Sequence, residues 1–170
     1  MIWKIFASKQ NEFMDKLFKH LKLREGYKQS VYLDILGKPT CGIGHLLSEE
    51  EQEKYPVKCL VPQQVIDNWF KVDTKKAISG AEKQMEDLEL IDEDFKIALV
   101  SVNYQLGTNW DKKFPLTYQH LKMKNYDNAI QEVLYKEPPA KEPSSWKEQT
   151  PVRVEDFVEA IELLKEKDND

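Results

Sequence analysis

The chain of 170 residues carries 30 acidic against 25 basic side chains, a formal net charge of −5 and a hydrophobic share of 41%. That is enough apolar material for one core, in one domain or in two lobes that share it. The acidic balance excludes a broad nucleic-acid binder, which needs clustered Lys and Arg. No apolar run approaches the roughly 20 residues of a membrane span, so no membrane insertion is expected. The apolar part of the opening MIWKIFASKQNEF is too short for a secretory signal, so no signal peptide is expected either.

In chain order, Phe13, Met14, Leu17, Phe18 and Leu21 recur at helical spacing, and Gly26 supplies the stop that leaves Glu25 at the helix end. Tyr27 to Gly44 reads as a small antiparallel sheet: Val31-Tyr32-Leu33 and Thr40-Cys41-Gly42-Ile43 are strand-like, with Leu36-Gly37-Lys38-Pro39 as the turn. A sheet of this size must lean on helices. Ser48 followed by Glu49, Glu50 and Glu51 reads as an N-cap with acids in the first turn.

A longer helix starts near Pro62 and carries Val65, Ile66, Trp69, Phe70, Val72, Ala77 and Ile78, with Gly80 interrupting its pattern. Ile91 to Leu106 is the strongest core helix, followed by helices over Asn125 to Tyr135 and Pro151 to Lys165. EPPAKEPSS between these last two reads as a surface loop, and the closing KEKDND as frayed. Cys41 and Cys59 read as two unpaired thiols. The order of elements suits an α+β, mostly helical fold in two lobes.

The chemistry concentrates between Leu21 and Leu47. Two acids in different local settings plus a hydroxyl are what hydrolysis of a glycosidic bond requires. Glu25, anchored at the end of an apolar helix face, suits a general acid, because partial burial against neighbours such as Leu21 favours the protonated form. Asp34, beside Gly37 and Lys38, has a wetter setting and suits an ionised carboxylate that orients a water; it also suits an Asx-turn residue. Thr40 offers a hydroxyl to the same water, or is simply a good strand former. His45, with Cys41, His20 and His120, shows no metal-ligand spacing, so no metal and no cofactor is expected.

With the pattern Glu25-Gly26, Tyr32-x-Asp34, Gly37, Thr40-x-Gly42-x-Gly44-His45, the chain resembles the phage-type lysozymes, muramidases of the T-even phage kind. The resemblance implies a single lysozyme-like domain over 1–170. It would hold a β-containing lobe at about 25–60, a connecting helix at about 61–80, and a helical lobe of 81–170 plus an N-terminal helix at 8–24, with the substrate cleft between the lobes. It implies an inverting reaction in which Asp34 and Thr40 hold water opposite Glu25. It also implies substrate contacts from Gly44 and Leu46, and from Tyr104 and Gln105 in SVNYQLG.

By the same resemblance His45 pairs with Asp73 on the long helix, and Arg153, after Trp146 and Gln149-Thr150-Pro151, pairs with Glu25. The implied partner is bacterial cell-wall peptidoglycan, attacked by a monomer. The implied setting is a phage endolysin made in the host cytoplasm that acts on the wall and periplasm after release. A secreted antibacterial effector and a tail-associated lysozyme share these residues. A lytic transglycosylase needs neither Asp34 nor Thr40, and a catalytically silent wall-binding module on the same fold is the reading from another class. The chain departs from the family in Val154-Glu155-Asp156 after Arg153, in a longer Pro-rich loop and in an earlier start of the first helix.

Overall fold

The computed structural model describes residues 2–170. It is a mostly helical α+β fold with one three-stranded antiparallel sheet in the order β1-β2-β3. The elements are α1 (Ile2–Glu25), β1 (Lys28–Leu33), β2 (Pro39–Gly42), β3 (His45–Leu46), α2 (Glu49–Lys54), α3 (Gln63–Asp87), α4 (Glu93–Leu106), α5 (Trp110–Lys113), α6 (Pro115–Lys122), α7 (Tyr126–Leu134), α8 (Ser145–Gln149) and α9 (Pro151–Asn169). The chain divides into two compact units, Met1–Lys75 and Lys76–Asp170, and the boundary falls inside α3.

In the first unit the sheet is too small to bury its own face, and the start of α3 covers it. Val31, Cys41, Leu47, Val61 and Ile66 form the buried cluster, with Tyr27, Tyr55, Val65 and Trp69 packed against it. The approach of sheet to helix is close enough to demand glycine. A Cβ at Gly42 would lie 2.8 Å from Ile66 Cγ2, and its φ of +65° disfavours any other residue. The outer edge of β1 is closed by residues 58–61: Val31 N–H donates to Cys59 O at 2.9 Å and Val61 N–H to Gln29 O at 2.9 Å. That pairing removes an open strand edge. Both cysteines are free, Cys41 buried and Cys59 half-buried. On α1, Leu17 and Leu21 are buried and Phe18 meets Phe70 edge-on at 5.1 Å.

The second unit is organised around α4, buried on nearly every side from Phe95 to Asn103. Phe157 of α9 is its aromatic centre, touching Phe95, Trp110 and Trp146 at centroid distances of 6.1, 5.8 and 5.8 Å. The hydrophobic pattern predicts no helix over 110–122 or 145–149, where α5, α6 and α8 lie. In α6 the buried positions are Thr117 and Leu121, so a threonine breaks the apolar stripe. α8 is set by Ser144, whose hydroxyl accepts from Lys147 N–H at 3.1 Å, a cap hidden inside the Pro-rich run.

The expected fraying of the C-terminus is also corrected. α9 runs to Asn169, held by Lys165 on Asp127 at 2.7 Å, by the Tyr126 hydroxyl donating to Asp168 at 2.5 Å and by Lys167 on Asp92.

Candidate active site

α1 delivers Glu25 as its last residue. Gly26, at φ +75°, closes the helix by donating its N–H to Lys22 O at 3.1 Å. Glu25 is half-buried, and its Oε1 is shielded from solvent. Its Oε2 faces the β2–β3 turn, where a Cβ built on Gly44 would stand 3.5 Å from it. Gly44 therefore does two things: it supplies a φ of +66° for the turn and leaves the space beside the carboxylate open.

Asp34 closes the β1–β2 turn. Its Oδ1 accepts from the N–H groups of Leu36 and Lys38, each at 2.8 Å, while its own N–H donates to Lys38 O at 3.0 Å. This is Asx-turn chemistry, and it locks the carboxylate in one orientation. Among the described residues Oδ2 takes no hydrogen bond, so one acceptor stays available at a half-buried position. Thr40 lies on β2 opposite Tyr32 of β1 and Leu46 of β3. It is only 3% exposed, and its hydroxyl donates to Lys38 O at 3.0 Å. Leu46 is exposed.

Tyr32 was not among the sequence candidates, although Tyr32-x-Asp34 carries the strand period that puts both on one face. Burial raises the pKa of its phenol, and the negative charges of Asp34 and then Glu25 raise it further. The Tyr32 hydroxyl thus lies within electrostatic reach of both acids. Lys28 stands over its ring at 4.2 Å.

His45 meets Asp73, the partner the resemblance implies, and a second carboxylate besides. Nδ1 lies 2.7 Å from Asp73 Oδ2 and Nε2 3.0 Å from Glu51 Oε2, while the ring stacks on Trp69 at 4.4 Å. Glu51 also closes a capping box: its carboxylate accepts from Ser48 N–H at 2.8 Å and its N–H donates to Ser48 Oγ at 3.2 Å. The Ser48-x-x-Glu51 spacing, visible in the sequence, is the signal that turns Glu51 back toward His45. Burial lowers the His45 pKa, but the hydrogen bonds and charges of Asp73 and Glu51 outweigh it and leave the value above the ordinary 6.5. For Glu51, burial acts upward, and the hydrogen bonds from Ser48 and His45 bring the value below 4.5.

The remaining sequence candidates belong to the second unit. Tyr104 is half-buried on α4 and Arg153 half-buried in the first turn of α9. Gln105 donates its amide to Thr150 Oγ1 at 3.0 Å and accepts from Trp146 Nε1 at 3.3 Å, so much of its hydrogen-bonding capacity ties α4 to the α8–α9 corner. Among the described residues no group of three or more His, Cys, Asp or Glu is arranged to hold a metal ion.

Residues 22–138 match the family described as phage lysozyme. A protein of Dictyostelium discoideum named Probable T4-type lysozyme 1 is 26% identical over 164 residues, which covers 84% of this chain and 91% of that protein. Probable T4-type lysozyme 2 from the same organism is 24% identical with the same coverage. With more than half its length matched, and with a helix-end glutamate facing a glycine-rich hairpin that carries Asp34 and Thr40, the chain belongs to the phage lysozyme family.

Proposed function

We propose that the chain is a muramidase that hydrolyses the β-1,4 linkage between N-acetylmuramic acid and N-acetylglucosamine in bacterial peptidoglycan. One observation carries the reading: the Glu25 carboxylate stands against the open Gly44 turn of the same three-stranded sheet that holds Thr40 on β2 and Asp34 in its β1–β2 turn. Family membership and the names of the two relatives support it.

In this mechanism Glu25 gives its proton to the glycosidic oxygen as the bond to C1 breaks, and the sugar alcohol leaves neutral. Positive charge develops on C1 and the ring oxygen. Water held by Asp34 Oδ2 and Thr40 Oγ1 adds to the opposite face of C1, and its proton passes to Asp34. Because the Thr40 hydroxyl hydrogen is committed to the Lys38 carbonyl, Oγ1 meets that water as an acceptor. One glycosidic bond and one water are consumed, a reducing end with inverted configuration is produced, and proton exchange with solvent resets both acids. Inversion requires carboxyl groups about 6.5–9.5 Å apart, which leaves room for the water. Tyr104 is assigned a sugar contact, whereas Gln105 is given a supporting place. The role assigned to the whole is that of a phage endolysin, made in the host cytoplasm and acting on the wall after release.

A second reading, a wall-binding module without catalysis, is favoured by one feature: Asp34 Oδ1 is fully used by its turn. Turbidity loss on purified peptidoglycan separates the two. Clearing by wild type, reduced about 10²–10⁴-fold in Glu25→Gln, supports the muramidase. Pelleting with the wall by both proteins, with clearing by neither, replaces it with the module. Mass spectrometry of the products must find reducing ends; anhydromuramic ends would replace hydrolysis with transglycosylation.

A further inference from the structure

Among the described residues, nothing covers α1 from residue 4 to residue 12. Residues 4–12 are all exposed, a helical run of about 14 Å at 1.5 Å per residue. Burial on α1 is complete only from Leu17 onward, yet the apolar stripe continues toward the N-terminus. Phe6 and Phe13 are seven residues apart and share a face; Phe13 is half-buried, whereas Phe6 is 62% exposed and Ile5 beside it 52%. Phe6 is the one exposed phenylalanine among the described residues. A short helical stretch with no tertiary packing is marginal in water, so an apolar surface that covers it would also stabilise it.

Charge says what kind of surface. The chain has a net charge of −5, but α1 carries six basic side chains against three acidic ones, and no acid precedes Glu12. The unoccupied end therefore presents Lys4, Lys9 and the positive pole of the helix dipole. Lys9 stands one turn beyond both Ile5 and Phe6, a spacing at which a lysine stem can cover apolar residues while its ammonium stays in a polar medium. Two copies of this helix would repel each other, which disfavours a second copy of the chain as the occupant. A purely polyanionic polymer would leave Phe6 and Ile5 in water. A surface with anionic groups over hydrocarbon meets both demands.

We propose that the exposed N-terminal half of α1 docks on anionic phospholipid, lying in the headgroup plane with Ile5 and Phe6 in the acyl boundary and Lys4 and Lys9 on the phosphates. No helix among the described residues is long and apolar enough to cross a membrane, so the contact is peripheral. It holds the chain at a membrane face whether or not the muramidase reading stands.

The test is co-sedimentation of the full chain with vesicles of phosphatidylglycerol in phosphatidylcholine, against vesicles of phosphatidylcholine alone. The anionic vesicles should pellet the protein, and added salt should weaken the binding. Phe6→Asp should weaken it about tenfold or more, as should the pair Lys4→Glu and Lys9→Glu, while clearing of purified peptidoglycan is unchanged. Ile91→Asp, at a fully exposed site of the second unit, should bind as wild type does. Pelleting equal on neutral vesicles, a Phe6→Asp protein that binds like wild type, or equal loss in Ile91→Asp overturns the proposal. Dimers in sedimentation velocity that Phe6→Asp splits into monomers overturn it in favour of self-association.

Discussion

Asp34 in the first unit and Gln84 in the second are both polar side chains held by hydrogen bonds, and they are held to different ends. Asp34 commits one carboxylate oxygen to two backbone N–H groups and leaves the other open at a half-buried site. Gln84 is buried and has nothing left over. Its Nε2 donates to Asn103 Oδ1 at 3.0 Å and Thr108 O at 3.3 Å, and its Oε1 accepts from Asn103 Nδ2 at 2.7 Å and Trp110 Nε1 at 3.0 Å. A neutral network closed in this way fixes how α3, α4 and α5 meet within their unit, and it has no valence left for a reactant. A fixed carboxylate with one free oxygen does. In this chain, the proposed chemistry lies where the hydrogen-bond inventory is incomplete.

The contrast is tested most severely by separating the two roles of Asp34. Asn at this position still offers an Oδ1 to the N–H groups of Leu36 and Lys38, but it carries no charge and accepts no proton from water. Asp34→Asn should therefore lower peptidoglycan clearing about 10²-fold or more, with a change in unfolding free energy below about 0.5 kcal/mol. Asp34→Ala should lose the turn as well and unfold at lower denaturant. If Asp34→Asn clears normally, Asp34 is a turn residue alone and the contrast with Gln84 collapses. Gln84→Ala is the mirror experiment. It strands Trp110 Nε1 and Asn103 Oδ1 in a buried space and opens a cavity, so stability should fall by about 2–4 kcal/mol. Specific activity per folded molecule should be unchanged. A loss of activity with stability intact would mean that the closed network reaches the chemistry.

The sequence made the hairpin legible because its signals are local. Gly26, Asp34, Gly37 and Gly44 each do work within a few residues of themselves, and the strand period and the helix stop agree with them. His45 with Asp73 is legible only through the family resemblance, while the Ser48-x-x-Glu51 spacing signals the capping box that holds Glu51. What the sequence concealed depends on distant neighbours. The Gln84–Asn103–Trp110 cluster joins residues 19 and 26 apart, and a lone Gln or Asn on a helix announces no partner. Gly80 shows the same limit. It reads as a flaw in a helical pattern, yet α3 continues through it to Asp87, and the glycine is there because a side chain would strike its neighbours.

That collision gives the next, smaller prediction. A Cβ on Gly80 would lie 2.7 Å from Thr108 Cγ2 and 2.8 Å from Asn103 Oδ1. Ala is the better helix former by about 1 kcal/mol, but it would push on an oxygen already bonded to Gln84, and overpacking costs about 1–3 kcal/mol. Gly80→Ala should be a net destabilisation of roughly 1 kcal/mol in chemical denaturation. Stabilisation would show that Thr108 yields and that the network tolerates displacement.

The smallest effect depends on pH. In the first unit His45 is clamped by two carboxylates, so its protonation is coupled to the folding of the hairpin that carries Thr40 and Gly44. Its folded-state pKa lies above the ordinary 6.5, so its contribution is fully present below that value and is lost as pH rises through the raised one. Glu51 acts with the opposite sign: its folded-state pKa lies below 4.5, so its contribution is present above 4.5 and disappears as pH falls through the lowered value. Both operate together between these limits, and there the clamp is tightest. His45→Asn, which does not titrate, should cost about 1 kcal/mol in that window once screening by solvent is allowed for. The gap between wild type and variant should narrow as pH rises above 6.5 and through the raised folded-state value. Thermal unfolding of both proteins across this range checks it, and Gln84→Ala is the internal control, because its neutral network should lose the same amount at every pH. A gap for His45→Asn that stays constant with pH would mean that the imidazole acts through stacking on Trp69, and that the hairpin, like the amide cluster, is held without charge.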